Sequence, residues 1–426
     1  MAMGVLFGVF AFLLVIGTPV AAALAVSTLA SALVLGLPEI ALVQQMTSNL
    51  SSVSLLAIPL FIFAGELMLR GGISERIIAL AASLVGRVRG GLGQVSVVAS
   101  TLFGGVSGSA IADVSAVGGA MIPQMIQRGY QPDYAVNVTI SAALVALLVP
   151  PSHNMILYSA AAGGGISITE LFLAGIVPAL MLAVAIMGTA YVVARRRGYQ
   201  AEAFPGFRAI LVNFVAAVPG LLLVCIIFFG IKSGIFTAIE SATVAVLYAL
   251  LITVLVYRKL NLKDFLHAVS GAVQSTGRIL FVIGAAGAFG WLMAYLQAPA
   301  MAVEAMQSIA HDRTMVLLLM VFALLILGTF MDMAPLIIIA TPIFLPVAKA
   351  YGVDPVHFGV ILILSCGIGL LTPPVGSVLF IGSAIGRIDV AKAVRGLWPF
   401  YLAMFMVLLA VVLFPPLSLS LRDWGK

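Results

Sequence analysis

Two proline pairs, Pro150-Pro151 and Pro373-Pro374, sit inside long apolar stretches and mark where this sequence can do chemistry. Proline has no N–H, and its ring clashes with the carbonyl four residues earlier, so a helix entering either pair must break. The first break frees the carbonyls of Ala146 and Leu147, the second those of Gly369 and Leu370. A main-chain oxygen bare in hydrocarbon costs several kcal/mol unless water, a polar side chain or a bound cation takes it. Polar residues stand close by: Ser152 and Asn154 after the first break, Thr372 and Ser377 around the second. Two further segments combine small residues with an acid, namely Gly104-Gly105-Val106-Ser107-Gly108-Ser109-Ala110 with Asp113 one turn on, and Gly328-Thr329-Phe330-Met331-Asp332. An ionisable group at membrane depth marks a functional site by default. Asp113 follows Gly105 by eight residues whereas Asp332 follows Gly328 by four, so the two acids need not be equivalent. Each reads either as a ligand or as a carboxylate capping N–H groups of the helix that follows. A helix N-terminus at such a tip also attracts anions.

Other polar residues say less. Glu66 and Glu240 fall near helix ends, and Arg278 can snorkel from the start of its helix. His153 beside Pro151-Ser152 reads as a substrate contact or as a hydrogen-bonded filler, and His267, His311 and His357 lie in loops or at helix starts. Cys225 and Cys366 sit in apolar runs and suggest neither a disulfide framework nor a metal site. No Ser-His-Asp spacing, HExxH motif or phosphate-cradling loop is present, which leaves hydrolysis, metal catalysis and nucleotide binding without support and argues against an enzyme.

The elements that must position these groups follow from composition. With 63% hydrophobic and 8% charged residues, 426 residues cannot cover a soluble core, and the chain reads as an all-α integral membrane protein. The net charge of +6 comes with no basic run interleaved with aromatics, so there is no nucleic-acid footprint. The N-terminus reads as a retained helix rather than a cleaved signal. Hydropathy predicts spans over 4–37 (one long helix, or one interrupted at Pro19), 50–69, 134–162, 166–194, 209–230, 235–257, 272–296, 356–386 and 396–415. The stretches 90–124 and 314–347 are each split into halves of about 14 residues, which reach only about 21 Å, so they read as re-entrant hairpins. With the hairpins as zero crossings, loops 70–89, 125–133, 195–208, 258–271 and 387–395 share one side and carry most of the Lys and Arg, including Arg195-Arg196-Arg197. The other side holds Lys232, Arg313, Lys349, Arg422 and Lys426, so the richer side is cytoplasmic.

An internal repeat organises the chain. Pro123 and Pro346, Gly129 and Gly352, Pro132 and Pro355, both proline pairs, and Gly105 and Gly328 are all separated by 223 residues. Gly65-Glu66-Leu67-Met68 resembles Gly290-Trp291-Leu292-Met293 at an offset of 225. Five spans separate the two starts, which turns the second unit upside down, a common transporter plan. The predicted divisions are an N-terminal helix region over 1–50, a first repeat over 51–194, linking helices over 195–271, a second repeat over 272–415 and a tail over 416–426.

Taken together, the 105–110 motif with Ala112-Asp113, Val149-Pro150-Pro151-Ser152, Gly328-Thr329-Phe330-Met331-Asp332 and Leu371-Thr372-Pro373-Pro374-Val375-Gly376 resemble the large membrane subunit (M or DctM type) of tripartite ATP-independent periplasmic (TRAP) transporters over nearly the whole chain. The resemblance implies an elevator-type sodium symporter of the bacterial inner membrane. In it a body of two re-entrant hairpins and two broken helices moves against a scaffold of the remaining helices. It implies two Na+ sites, one at Ser107, Ala146, Val149 and Pro151, the other at Gly328, Gly369, Thr372 and Val375, mostly through backbone oxygens. Substrate would lie between the tips near Ser109, Asp113, Asn154 and Asp332. The implied partners are a small four-helix membrane subunit (Q type) as a separate chain and a periplasmic substrate-binding protein, with a carboxylate such as a C4-dicarboxylate or sialic acid as cargo. The competing readings are a stand-alone sodium/dicarboxylate symporter of the wider superfamily and an ion channel.

Overall fold

The computed structural model describes residues 1–201, 205–310 and 312–423, and is all helical among them. His311, Lys426 and the end of the 416–426 tail lie outside the described residues. Among the described residues seven helices are long and apolar enough to cross a membrane, including Ile168–Arg196, Phe207–Lys232, Leu262–Tyr295 and Val390–Leu413. Phe207–Lys232 and Ala238–Leu251 leave Leu211, Val215, Phe229, Leu247 and Leu251 exposed, as a lipid-facing surface requires.

The broken helices lie at the centre. One runs Pro132–Ala143, continues as a short turn over Val145–Leu147 and resumes as His153–Ala161; the other runs Pro355–Gly369 and resumes as Ser377–Gly386. Residues 356–370 are buried without exception, because a helix apolar on every face is stable only when enclosed. Both Pro–Pro bonds are cis. The first hairpin has arms Gly91–Ser107 and 110–127; the second has arms Arg313–Phe330 and Met333–Ala350. The first arms are 17 and 18 residues long, longer than the halves of about 14 read from the sequence. Gly104 and Gly105 do not end their helix, which carries on to a left-handed Gly108.

Three further differences have simple causes. The stretch 4–37 is interrupted at Pro19, as one reading allowed, but the break is a full reversal. Ala2–Val15 and Val20–Leu35 fold back on each other, with the Ser31 hydroxyl donating to the Ala2 carbonyl at 2.9 Å. The reversal starts at Gly17, whose φ of +82° closes the first helix through Thr18 N–H to Leu13 O at 2.9 Å. The segment 70–89, read as a loop, contains the helix Ile73–Val85, turned by 68° from Ala57–Arg70. A counterpart, Ala298–Ile309, follows the end of Leu262–Tyr295.

These elements obey the repeat offset. Arg70 and Tyr295 end their helices, Ile73 and Ala298 begin the next ones, and the intervening corners, Gly72 and Gln297, both have positive φ, with each pair 225 apart. The outer ends of the broken helices are moored alike. Arg197 forks onto Asp133 at 2.9 and 2.8 Å and reaches the Gln131 side chain at 2.7 Å, while Arg422, also 225 residues on, bonds Asp354 at 2.6 Å. A two-pronged guanidinium–carboxylate contact with both partners largely buried is among the stronger polar interactions. Arg197→Ala is therefore expected to destabilise the fold by about 1–3 kcal/mol, read as a lower midpoint of thermal unfolding for the purified protein.

Candidate functional site

Each hairpin tip meets the break of the neighbouring helix in its own repeat. At the first junction a Cβ on Gly104 would lie 2.5 Å from the Ala146 Cα, so the two backbones touch with no room for a side chain. At the second, a Cβ on Gly369 would lie 2.6 Å from the Gly328 Cα. The packing therefore pairs Gly104, not Gly105, with Gly328, and the first arms correspond at 224. Beyond the tips the offset returns to 223, because Ser109 and Asp332 are the N-caps of the two return arms. The Ser109 hydroxyl accepts from Ala112 N–H at 3.3 Å and the Asp332 carboxylate from Met333 N–H at 2.9 Å. The counterpart of Asp332 is thus a serine. Asp113 is a separate feature, fully buried between the arms of its own hairpin and bonded by the Ser100 hydroxyl at 2.6 Å.

The junctions are stitched in the same manner. Asn154 donates from Nδ2 to the Gly108 carbonyl at 3.0 Å, and Ser377, 223 residues later, donates to Asp332 at 3.4 Å. Val375 N–H donates to Thr329 O at 3.0 Å, closing the second junction through the main chain.

Of the four carbonyls freed by the prolines, three accept a hydrogen bond within the chain. Leu147 O accepts from the Ser152 hydroxyl at 2.7 Å, and Leu370 O from Leu379 N–H at 3.4 Å. Gly369 O takes Thr372 N–H at 2.9 Å and retains its second lone pair. Ala146 O has no local donor, since Val149 N–H turns back to Val145 and position 150 has no N–H. The Ser107 hydroxyl and the Asn154 Oδ1 are likewise buried without a partner. Thr372 directs its hydroxyl to Ile368 O at 3.0 Å. Buried polar atoms without partners are rare, and several around one junction mark a place for a ligand.

A cavity of about 340 Å³ brings both tips together, bordered by Ser107, Ser109, Asn154 and Asp332. Asp113 does not border it. The opposite wall comes from helices outside the hairpins, with Gly65, Glu66 and Leu69 on Ala57–Arg70 and Ser275, Arg278 and Ile279 on Leu262–Tyr295. Ser275 and Arg278 stand three apart on one helix and Glu66 on another; in the sequence Glu66 and Arg278 read only as residues near helix ends. A second, larger cavity of about 680 Å³ lies further along the same helix, bordered by Gly287, Gly290 and Trp291 together with Ser159 and Ser167. Among the described residues no three His, Cys, Asp or Glu side chains converge, so the donors on offer are hydroxyl and main-chain oxygens.

If Asn154 holds the first tip, Asn154→Ala will speed amide exchange over residues 105–112 by about tenfold without changing exchange in Pro355–Gly369, as measured by hydrogen–deuterium exchange.

Comparison with known proteins agrees with this architecture. The family model described as "Tripartite ATP-independent periplasmic transporter, DctM component" matches residues 7–417. The chain is 34% identical to the 2,3-diketo-L-gulonate TRAP transporter large permease protein of Escherichia coli, covering 96% of each chain. It is 38% identical to the sialic acid TRAP transporter large permease protein of Vibrio cholerae, over 89% of this chain and 88% of that one. It is 32% identical to the C4-dicarboxylate TRAP transporter large permease protein of Rhodobacter capsulatus, over 98% of each. Among solved structures, the YdaH transporter of Alcanivorax borkumensis shares the fold, with a TM-score of 0.64 at 14% identity over 87% of this chain and 86% of that one. A multi-pass helical chain matched over nearly its whole length by that family and by its named permeases is a transporter subunit rather than an enzyme: it belongs to the DctM family of TRAP transporter large permease proteins.

Proposed function

We propose that this subunit imports a small organic anion across the bacterial inner membrane, driven by sodium, and that the two hairpins and two broken helices move together as an elevator against the remaining helices. The observation that carries the reading is a single cavity bordered by both tips, each tip packed on a helix break that exposes oxygen. The first Na+ would be held by Ser107, Ala146, Val149 and Pro151, where the bare Ala146 carbonyl and the unpartnered Ser107 hydroxyl are suitable donors. The second would use Gly328, Gly369, Thr372 and Val375. Unwound main-chain carbonyls of discontinuous helices are the usual way for a transporter to hold Na+. The substrate would bind in the cavity against Ser109, Asn154 and Asp332, while Asp113 braces the first hairpin from within. The larger cavity further along Leu262–Tyr295 supports the elevator reading, since it offers the body space at a second level along one helix.

The cargo is a carboxylate. Each of the three relatives is named for an organic acid: 2,3-diketo-L-gulonate, sialic acid or a C4-dicarboxylate. Importing an anion into a negative interior needs a driving force, and each co-transported positive charge supplies about 2.3 kcal/mol per 100 mV. A small four-helix membrane subunit and a periplasmic binding protein complete the system, with the Arg-rich loops on the cytoplasmic side.

The reading is tested in proteoliposomes holding the large and small subunits. Uptake should require an inward sodium gradient and the binding protein together; uptake with this polypeptide alone would indicate a stand-alone symporter, and gradient-independent downhill flux a channel. Asp332→Ala should abolish sodium-driven uptake with normal membrane insertion. Pro374→Ala, by restoring an N–H and letting the helix re-form, should raise the sodium concentration for half-maximal uptake at least severalfold.

A further inference from the structure

The charged side chains bordering the cavity include Glu66, Arg278 and Asp332. Arg70 bonds Glu66 at 3.3 Å, and Asp332 caps Met333 N–H. Arg278 is the cation on this wall, and it forms no hydrogen bond or ion pair within the described residues. It is exposed on Leu262–Tyr295, six residues into the stretch read from sequence as a span, and a cation without a partner there marks a functional site by default. It borders the cavity together with Ser275, three residues before it on the same helix. Across the cavity stand the Ser107 hydroxyl and Asn154, both with buried polar atoms lacking partners. The cavity thus has a free guanidinium on one wall and unsatisfied hydroxyl and amide groups on the other. A carboxylate complements the first, and a hydroxyl or amide N–H of an organic acid can donate to the Asn154 Oδ1 of the second.

We propose that Arg278 is the receptor for the substrate's carboxylate, a binding residue supplied by the helix opposite the tips rather than by the tips themselves. This assignment rests on the organic-anion reading given above. Since Arg278 belongs to a helix outside the hairpins and broken helices, it meets the carboxylate only when the tips stand at this level, and so it acts at one end of the transport cycle. A guanidinium is suited to the task because its planar fork pairs with both oxygens of a carboxylate at once.

The test uses the purified complex of large and small subunits, with ligand-induced thermal stabilisation measured in saturating sodium. The probes are succinate, N-acetylneuraminate, 2,3-diketo-L-gulonate and the three- to six-carbon mono- and dicarboxylates, each beside its neutral amide where one exists. The wild type should be stabilised by at least one of these acids and not by its amide. Arg278→Gln should weaken that binding about 10- to 100-fold, with Arg278→Lys in between and with stabilisation by sodium alone unchanged in both. Wild-type affinity in Arg278→Gln would overturn the assignment while leaving the transport reading in place, as would equal stabilisation of the wild type by acid and amide. Failure of the wild type to bind any of these acids would overturn the organic-anion reading and this assignment with it.

Discussion

A main-chain oxygen enclosed in a low-dielectric interior must find a partner, and the architecture is organised around where four such oxygens go. The double prolines create them at matched positions in each repeat. Ser152 and Leu379 take the outer two, while Ala146 O and one lone pair of Gly369 O stay available beside the hairpin tips. The glycines at those contacts follow from the same demand. Gly104 against Ala146, and Gly328 against Gly369, let two backbones meet without side chains between them, so the oxygens of a tip and of a break can converge on one point.

Holding those points together takes more than the tips. Asn154 and Val375 fasten each tip to its break, Tyr401 on Val390–Leu413 bonds Leu371 O at 2.6 Å, and Asn137 bonds Ala393 O at 2.9 Å. Ile168–Arg196 and Val390–Leu413 pack along the broken helices, and their chain continuations carry the arginines that moor Asp133 and Asp354. A binding site assembled from two tips and two breaks is only as accurate as these supports, since misplacement by an ångström is enough to spoil ion coordination.

The sequence was most legible where covalent geometry dictates structure. Proline pairs break helices in any context, so the position of both breaks, the membrane class and the repeat could be read directly. Where the outcome depends on tertiary contacts, reading failed in recognisable ways. Gly17 ends a helix by turning left-handed, which hydropathy averages away, and so the fold-back of the first two helices was invisible. Ile73–Val85 and Ala298–Ile309 lie beside longer apolar runs, and their amphipathic pattern is diluted by them. The one-residue shift between the hairpin arms cannot be seen in a sequence offset, because only packing distinguishes Gly104 from Gly105. Asp113 and Arg278 exchange importance for the same reason. An acid in a Gly/Ser motif attracts attention and an arginine near a helix start does not, yet burial puts the first inside its hairpin and the cavity reaches the second.

The left-handed corners at Gly72 and Gln297 bear on how such an assembly can shift without losing its grip. Each stands between two helices, the second of which leads to a hairpin. Rotation about a few dihedrals at these elbows would swing the helices that follow like paired crank arms, leaving the contacts between tips and breaks undisturbed. Gln297 stands where its counterpart is glycine, so the two elbows differ in stiffness, and the second pivot resists turning more than the first.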